Sequence, residues 1–120
     1  MEQAAEQQQR TISWDDFEKI DIRVGTITGA ETFPKARKPA YKLTIDFGAE
    51  LGIKRSSAQI TRHYTPEQLV GQQVVAVVNF PPKQIATFIS ECLVLGIYDE
   101  NKEVVLLQPQ KGVSNGLKIG

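Results

Sequence analysis

Tyr41, Leu43, Ile45 and Phe47 alternate with Lys42, Thr44 and Asp46, and this two-residue period makes 41–47 the clearest half-buried strand in the chain. Upstream, Ile22 and Val24 keep one phase and Ile27 the other, a slip that predicts a bulge or strong bend at Gly25. Downstream, 53–60 alternates poorly, because Lys54, Arg55, Ser56, Ser57 and Gln59 place polar groups on both faces. A strand with a working surface reads this way. Stretches 73–78, 92–98 and 104–108 complete the strand set, with 99–102 as the turn between the last two.

Helical signals are short. Ser13 and Asp16 have capping-box spacing, and Trp14, Phe17 and Ile20 recur at helical intervals, which predicts a helix over 14–20 with an aromatic face. Thr65, Pro66 and Gln68 supply an N-cap, a proline at the first helical position and a capping partner, and Gly71 supplies the stop. Strands with one short helix between the third and fourth have the order of an all-β, five-stranded Greek-key OB-fold barrel. Such barrels commonly bind oligonucleotides over strands two and three and the loops joining strands one to two and four to five.

Charge sharpens that expectation. Fourteen basic and fourteen acidic residues cancel, which argues against the general basicity of proteins that coat nucleic acid. Yet 33–64 holds seven basic residues against two acidic ones, while the stretch before residue 23 is mainly acidic. A charge run is ordinarily a solvated face, but here the basic residues fall where an OB barrel binds. In the first loop Pro34 and Pro39 stiffen a segment carrying Lys35, Arg37 and Lys38, and a preorganised cation cluster loses less entropy when it meets phosphate. Arg37 suits a two-pronged phosphate contact and the lysines act as point charges. Lys54, Arg55 and Ser57 on strand three extend the surface. The second loop holds Asn79, Phe80, Lys83, Phe88 and Ser90, and three roles are open to its two phenylalanines: stacking on bases, packing around an apolar peptide side chain, or closing the barrel mouth.

The 120 residues suit one domain, expected over 13–120 behind a flexible polar tail over 1–12. The longest apolar runs, 74–78 and 92–97, are far too short to span a bilayer, and the opening MEQAAEQQQR lacks the pattern of a secretory signal, so a cytoplasmic protein is expected. Cys92 is the sole cysteine and His63 the sole histidine, which removes histidine pairs and thiolate clusters for zinc, CxxC motifs and any intramolecular disulfide; Cys92 is read as a core thiol. With no GxSxG elbow and no phosphate-binding glycine fingerprint, no enzyme, no metal and no cofactor are expected.

FPKARKPAYKLTIDFG over 33–48 and AVVNFPPKQIATFISECLVLG over 76–96, with SSAQIT over 56–61, VVLLQP over 104–109 and NGLKIG over 115–120, resemble the tRNA-binding OB-fold domain family. Its members include domains appended to some methionyl-tRNA synthetases and a small dimeric export chaperone, and the chaperone is the nearer match over 17–120. In that family the second loop runs Asn, apolar, basic or Pro, Pro, basic residues, then a serine facing the RNA; Asn79, Pro82, Lys83 and Ser90 match it. Gln84, Ala86 and Thr87 replace an expected basic residue, an arginine and a glycine, departures that weaken the case for tight tRNA binding. The resemblance implies a chaperone for unfolded or presecretory polypeptides, a link to the Sec translocation ATPase, tRNA as a further ligand, and a homodimer paired through its terminal elements. The Trp14, Phe17 and Ile20 face and the late Val113, Leu117 and Ile119 supply the apolar surface for that pairing. The rival reading is a free-standing tRNA-binding module acting in trans.

Overall fold

The structure is a computed structural model that describes residues 10–120, so most of the tail expected over 1–12 lies outside the described residues. Five strands form the sheet. β1 (Ile22–Thr32) is bordered by β2 (Tyr41–Asp46) and β4 (Gln73–Val77); β3 (Ile53–Ala58) pairs with β2, and β7 (Leu93–Val94) with β4, all antiparallel. The order β3-β2-β1-β4-β7 curls round until β3 meets the chain entering β7. Glu91 N donates to Arg55 O at 2.7 Å, Ser56 Oγ donates to Cys92 O at 2.9 Å, and a nearly closed barrel results.

The barrel's interior is the face that β2 announces. Leu43, Ile45 and Phe47 are fully buried with Ile27, Leu69 and Val74. β1 reaches both neighbours because it is long and bent, but the irregularity lies between Ile27 and Gly29, not at Gly25. Gly25 serves the core instead. A Cβ there would stand 2.7 Å from Ile45 Cγ2 and 2.8 Å from the Phe47 ring, so its bareness makes room for both side chains. Val24, on the opposite face, is also buried, and the chain end adds to the edge of β1 through Val24 N to Leu117 O and Ile119 N to Ile22 O.

The capping signals act as expected. α1 (Trp14–Glu18) has its reciprocal Ser13 and Asp16 capping box, and α3 (Pro66–Leu69) has Thr65 and Gln68 in the same roles. A one-turn helix, α2 (Gly48–Leu51), joins β2 to β3 and carries no sequence signal of its own. None of these helices, nor any other among the described residues, is long and apolar enough to cross a membrane.

The predicted strand over 92–98 is two strands. Leu95 N still bonds to Val75 O, but Leu95 O accepts from Leu107 N, so the chain changes partner there. β8 (Gly96–Tyr98) then pairs with β9 (Val104–Leu106) as a separate hairpin. Its turn is organised by Asp99, whose carboxylate accepts from Asn101 N and Glu103 N and meets His63 Nε2 at 2.7 Å. These contacts, the Glu103 N–H first and His63 next, hold the Asp99 carboxyl below its ordinary range. A depressed carboxylate contributes stability that is present above its unfolded pKa and lost as pH falls through the folded one. Asp99→Asn should therefore flatten the acid limb of the stability profile, measured by urea unfolding from pH 7 down to 3.

Cys92 is buried where β3 meets β7, and burial pushes its thiol up to about 11 against the smaller opposing pulls of Ser56 and Lys54. Cys92→Ala should cost roughly 1 kcal/mol or somewhat more. A bulky thiol reagent should label the native protein slowly and the urea-unfolded chain fast; rapid native labelling would contradict the burial.

Candidate functional site

The first loop, 33–40, is pinned by two backbone bonds, Phe33 N to Ala40 O and Ala36 N to Phe33 O. Its inward residues Phe33 and Ala40 join Phe88 in a small core of their own, so Lys35, Arg37 and Lys38 are left on the outer side of the loop. None of the three is ion-paired among the described residues. The loop thus keeps a rigid inner side and a charged outer one.

The second loop is itself a hairpin, β5 (Lys83–Ile85) with β6 (Phe88–Ser90), joined by Ala86 and Thr87. Here the left-handed backbone falls on Ala86, at φ 54°, rather than on Thr87, the position of the replaced glycine. Phe88 is buried edge-on against Phe33, ring centroids 5.5 Å apart. That contact ties the two loops into one wall.

Cations stand on this aromatic pair. The Arg55 guanidinium lies 4.5 Å from the Phe88 ring centroid, and Lys42 Nζ lies 5.5 Å from that of Phe33. A cation over an aromatic face gains from the ring quadrupole while its remaining N–H groups stay free for an anion. Lys42 and Ser57 are cross-strand partners, as are Thr44 and Arg55, so strands two and three present Lys42, Arg55 and Ser57 on one outer face. Lys42 is absent from the candidates named from sequence, although its outward phase in the 41–47 alternation is the signal that points to it. Glu31 sits 3.9 Å from Arg55, an exposed pair of small energetic worth.

The remaining candidates divide. Lys83 and Phe80 are exposed beside the face, and Phe80 and Ile89 are the large apolar side chains of that loop left half open to solvent. Ser90 Oγ accepts from Ser57 N at 3.2 Å and so fastens the hairpin to β3. Asn79 is occupied elsewhere: its Oδ1 accepts from Asp21 N and its Nδ2 donates to Lys19 O, which braces α1 against the end of β4. Lys54 shares its strand face with Ser56 and Ala58, the inward one, and is not brought beside Arg55.

The family described as "Putative tRNA binding domain" matches residues 22–118. The chain belongs to the tRNA-binding domain family. Among solved structures it is similar to the chaperone CsaA of Bacillus anthracis, at 58% identity and TM-score 0.86 over 92% of this chain and 99% of that one. It is also similar to CsaA of Picrophilus torridus, at 54% identity and TM-score 0.86 over 92% of this chain and 100% of that one. The methionine–tRNA ligase of Methanococcoides burtonii is 38% identical over 90% of this chain, but the chain spans only 16% of that enzyme's length. The basic face described above therefore sits on the barrel of a tRNA-binding domain with CsaA chaperones as structural neighbours.

Proposed function

We propose that this protein is a non-enzymatic, homodimeric, cytoplasmic chaperone of the CsaA kind, which holds unfolded or presecretory polypeptides, with the Sec translocation ATPase as a receiving partner. The observation that carries this reading is the likeness to two CsaA chaperones from end to end of their chains, against a likeness to only a small part of the ligase. Pairing of two copies is supported at the chain ends. Trp14 is 82% exposed, and with Ile12, Phe17 and Gly120 it lines an apolar cleft of about 590 Å³; Leu117 is also half open. An isologous two-fold contact over this surface would cover it on both copies.

A second reading, a free-standing tRNA-binding module acting in trans, is favoured by the loop cations, which have no ion pair among the described residues, and by the Arg55 and Lys42 platforms. Binding of the purified protein to bulk tRNA and to an unfolded secretory precursor, each across a salt series, separates the two. Affinity for the precursor that changes little with moderate salt is the expected result. A steep salt slope for tRNA with no affinity for the precursor would overturn the chaperone reading. Light scattering at micromolar concentration tests the dimer, and a monomer alone would remove it.

A further inference from the structure

The barrel is closed at one end of its seam and open at the other. β3 and β7 run the same way, because four antiparallel steps, through β2, β1 and β4, lead from one to the other. Bonds at Arg55, Ser56 and Ser57 hold the closed end. Beyond them the two strands part around a groove of about 710 Å³, a volume within the usual range of ligand clefts.

Both rims of this groove are strand edges with unused backbone. In an antiparallel ladder the residues alternate between facing one neighbour and facing the other. Phe47 N bonds to Gly52 O, which puts Ala58 in a bonded pair with Tyr41 and turns the N–H and C=O of Gln59 away from β2. Leu95 N bonds to Val75 O, which likewise turns the N–H and C=O of Val94 away from β4. Neither Gln59 nor Val94 has a partner for these groups among the described residues, and both residues line the groove. Unpaired strand edges are templates for another strand.

The side chains around the groove add selectivity. Lys38, Arg62 and Lys102 line it without an ion pair among the described residues, against Glu103 as the one acidic side chain there. Leu93 and Tyr98 are 49% and 75% exposed and offer apolar contact at its mouth. The bond between His63 and Asp99 joins the turn after β3 to the β8–β9 hairpin and so fixes the two walls relative to each other.

We infer that this seam takes an extended polypeptide segment, antiparallel to both rims, which pairs its backbone with Gln59 on one side and Val94 on the other and favours acidic residues among apolar ones. The inference rests on the polypeptide-binding reading above and names where and how the chain is held. The seam adjoins the Arg55 and Phe88 face and shares Lys38 and Ser57 with it, but Gln59, Val94, Arg62 and Lys102 belong to the seam.

Two synthetic nine-residue peptides test it on the full chain: one alternating valine with glutamate, and its twin N-methylated at every second residue, which keeps the side chains and removes backbone donors. The parent should bind at least about tenfold more tightly than the twin, and should slow hydrogen exchange at the Gln59 and Val94 amides, read by NMR. Lys102→Glu, a change in an exposed turn, should weaken the glutamate peptide severalfold and leave its glutamine analogue unaffected. If the twin binds equally well, or if the parent binds while protection appears only around Phe80 and Lys83, the seam is refuted and polypeptide binding stands. If neither the peptides nor an unfolded precursor bind, both readings fall. Protection of the two amides by an oligonucleotide and not by the peptide would also overturn the inference.

Discussion

Phe47→Ala should remove about 3–5 kcal/mol of stability, a large share of what a domain of this size possesses. Phe47 is fully buried at the end of β2, and its ring lies where a Cβ on Gly25 would come within 2.8 Å. Truncation leaves a cavity that the surrounding strands cannot close, because each is held in register by its neighbours. Gly25→Ala acts on the same spot from the other side and should cost about 1–3 kcal/mol through overpacking. The two changes are coupled in part: Phe47→Ala removes the two ring contacts that a methyl group at position 25 would meet and leaves the contact with Ile45, so the double variant should be more stable than the sum of the single effects requires. Urea unfolding of the four proteins measures this. Additive effects would mean that the overpacking at Gly25 comes from Ile45 and not from the ring.

The second large effect concerns RNA. Combined replacement of Lys35, Arg37 and Lys38 by alanine should weaken tRNA binding and flatten the dependence of log affinity on log salt by about 0.7 to 0.9 for each phosphate that the loop no longer neutralises. The fold should be untouched, since the three side chains lie on the outer side of the loop and are not ion-paired among the described residues. Arg55→Ala should add to the effect and is the sharper probe of stacking, because the guanidinium is held over Phe88. Phe80→Ala tests whether the second loop shares in polypeptide binding, and the seam requires that it leave that binding largely intact. Phe88→Ala is not informative here, because Phe88 is buried against Phe33 and its removal would loosen both loops at once. Filter binding at four salt concentrations reads the slope. An unchanged slope would remove the first loop from the RNA surface.

Much of this protein is legible from local sequence. The alternation over 41–47 marks the inward face of β2, and the capping boxes at Ser13 and Thr65 mark two helix starts, because both signals are carried by neighbours within four positions. The first loop's charges are legible too, since prolines and a strand boundary leave Lys35, Arg37 and Lys38 nowhere to be buried. Partner choice across the chain is another matter. Asn79 looks like a loop residue free to meet a ligand until its amide is found between Asp21 and Lys19, some sixty residues away. Phe80 and Phe88 are the same side chain in the same loop, yet one is exposed and the other buried, and only the arrival of Phe33 from the first loop distinguishes them. The stretch over 92–98 has the apolar content of one strand, but at Leu95 the chain leaves β4 for the segment that forms β9, because the barrel curves away there. Gly25 stands out in sequence as a phase slip, while its reason for being glycine is a ring on another strand. Periodicity and capping are properties of adjacent residues and survive in one dimension; which backbone edge stays open, which cation stands on which ring and which polar side chain is already spent are set by contacts between distant segments, and only the folded barrel decides them.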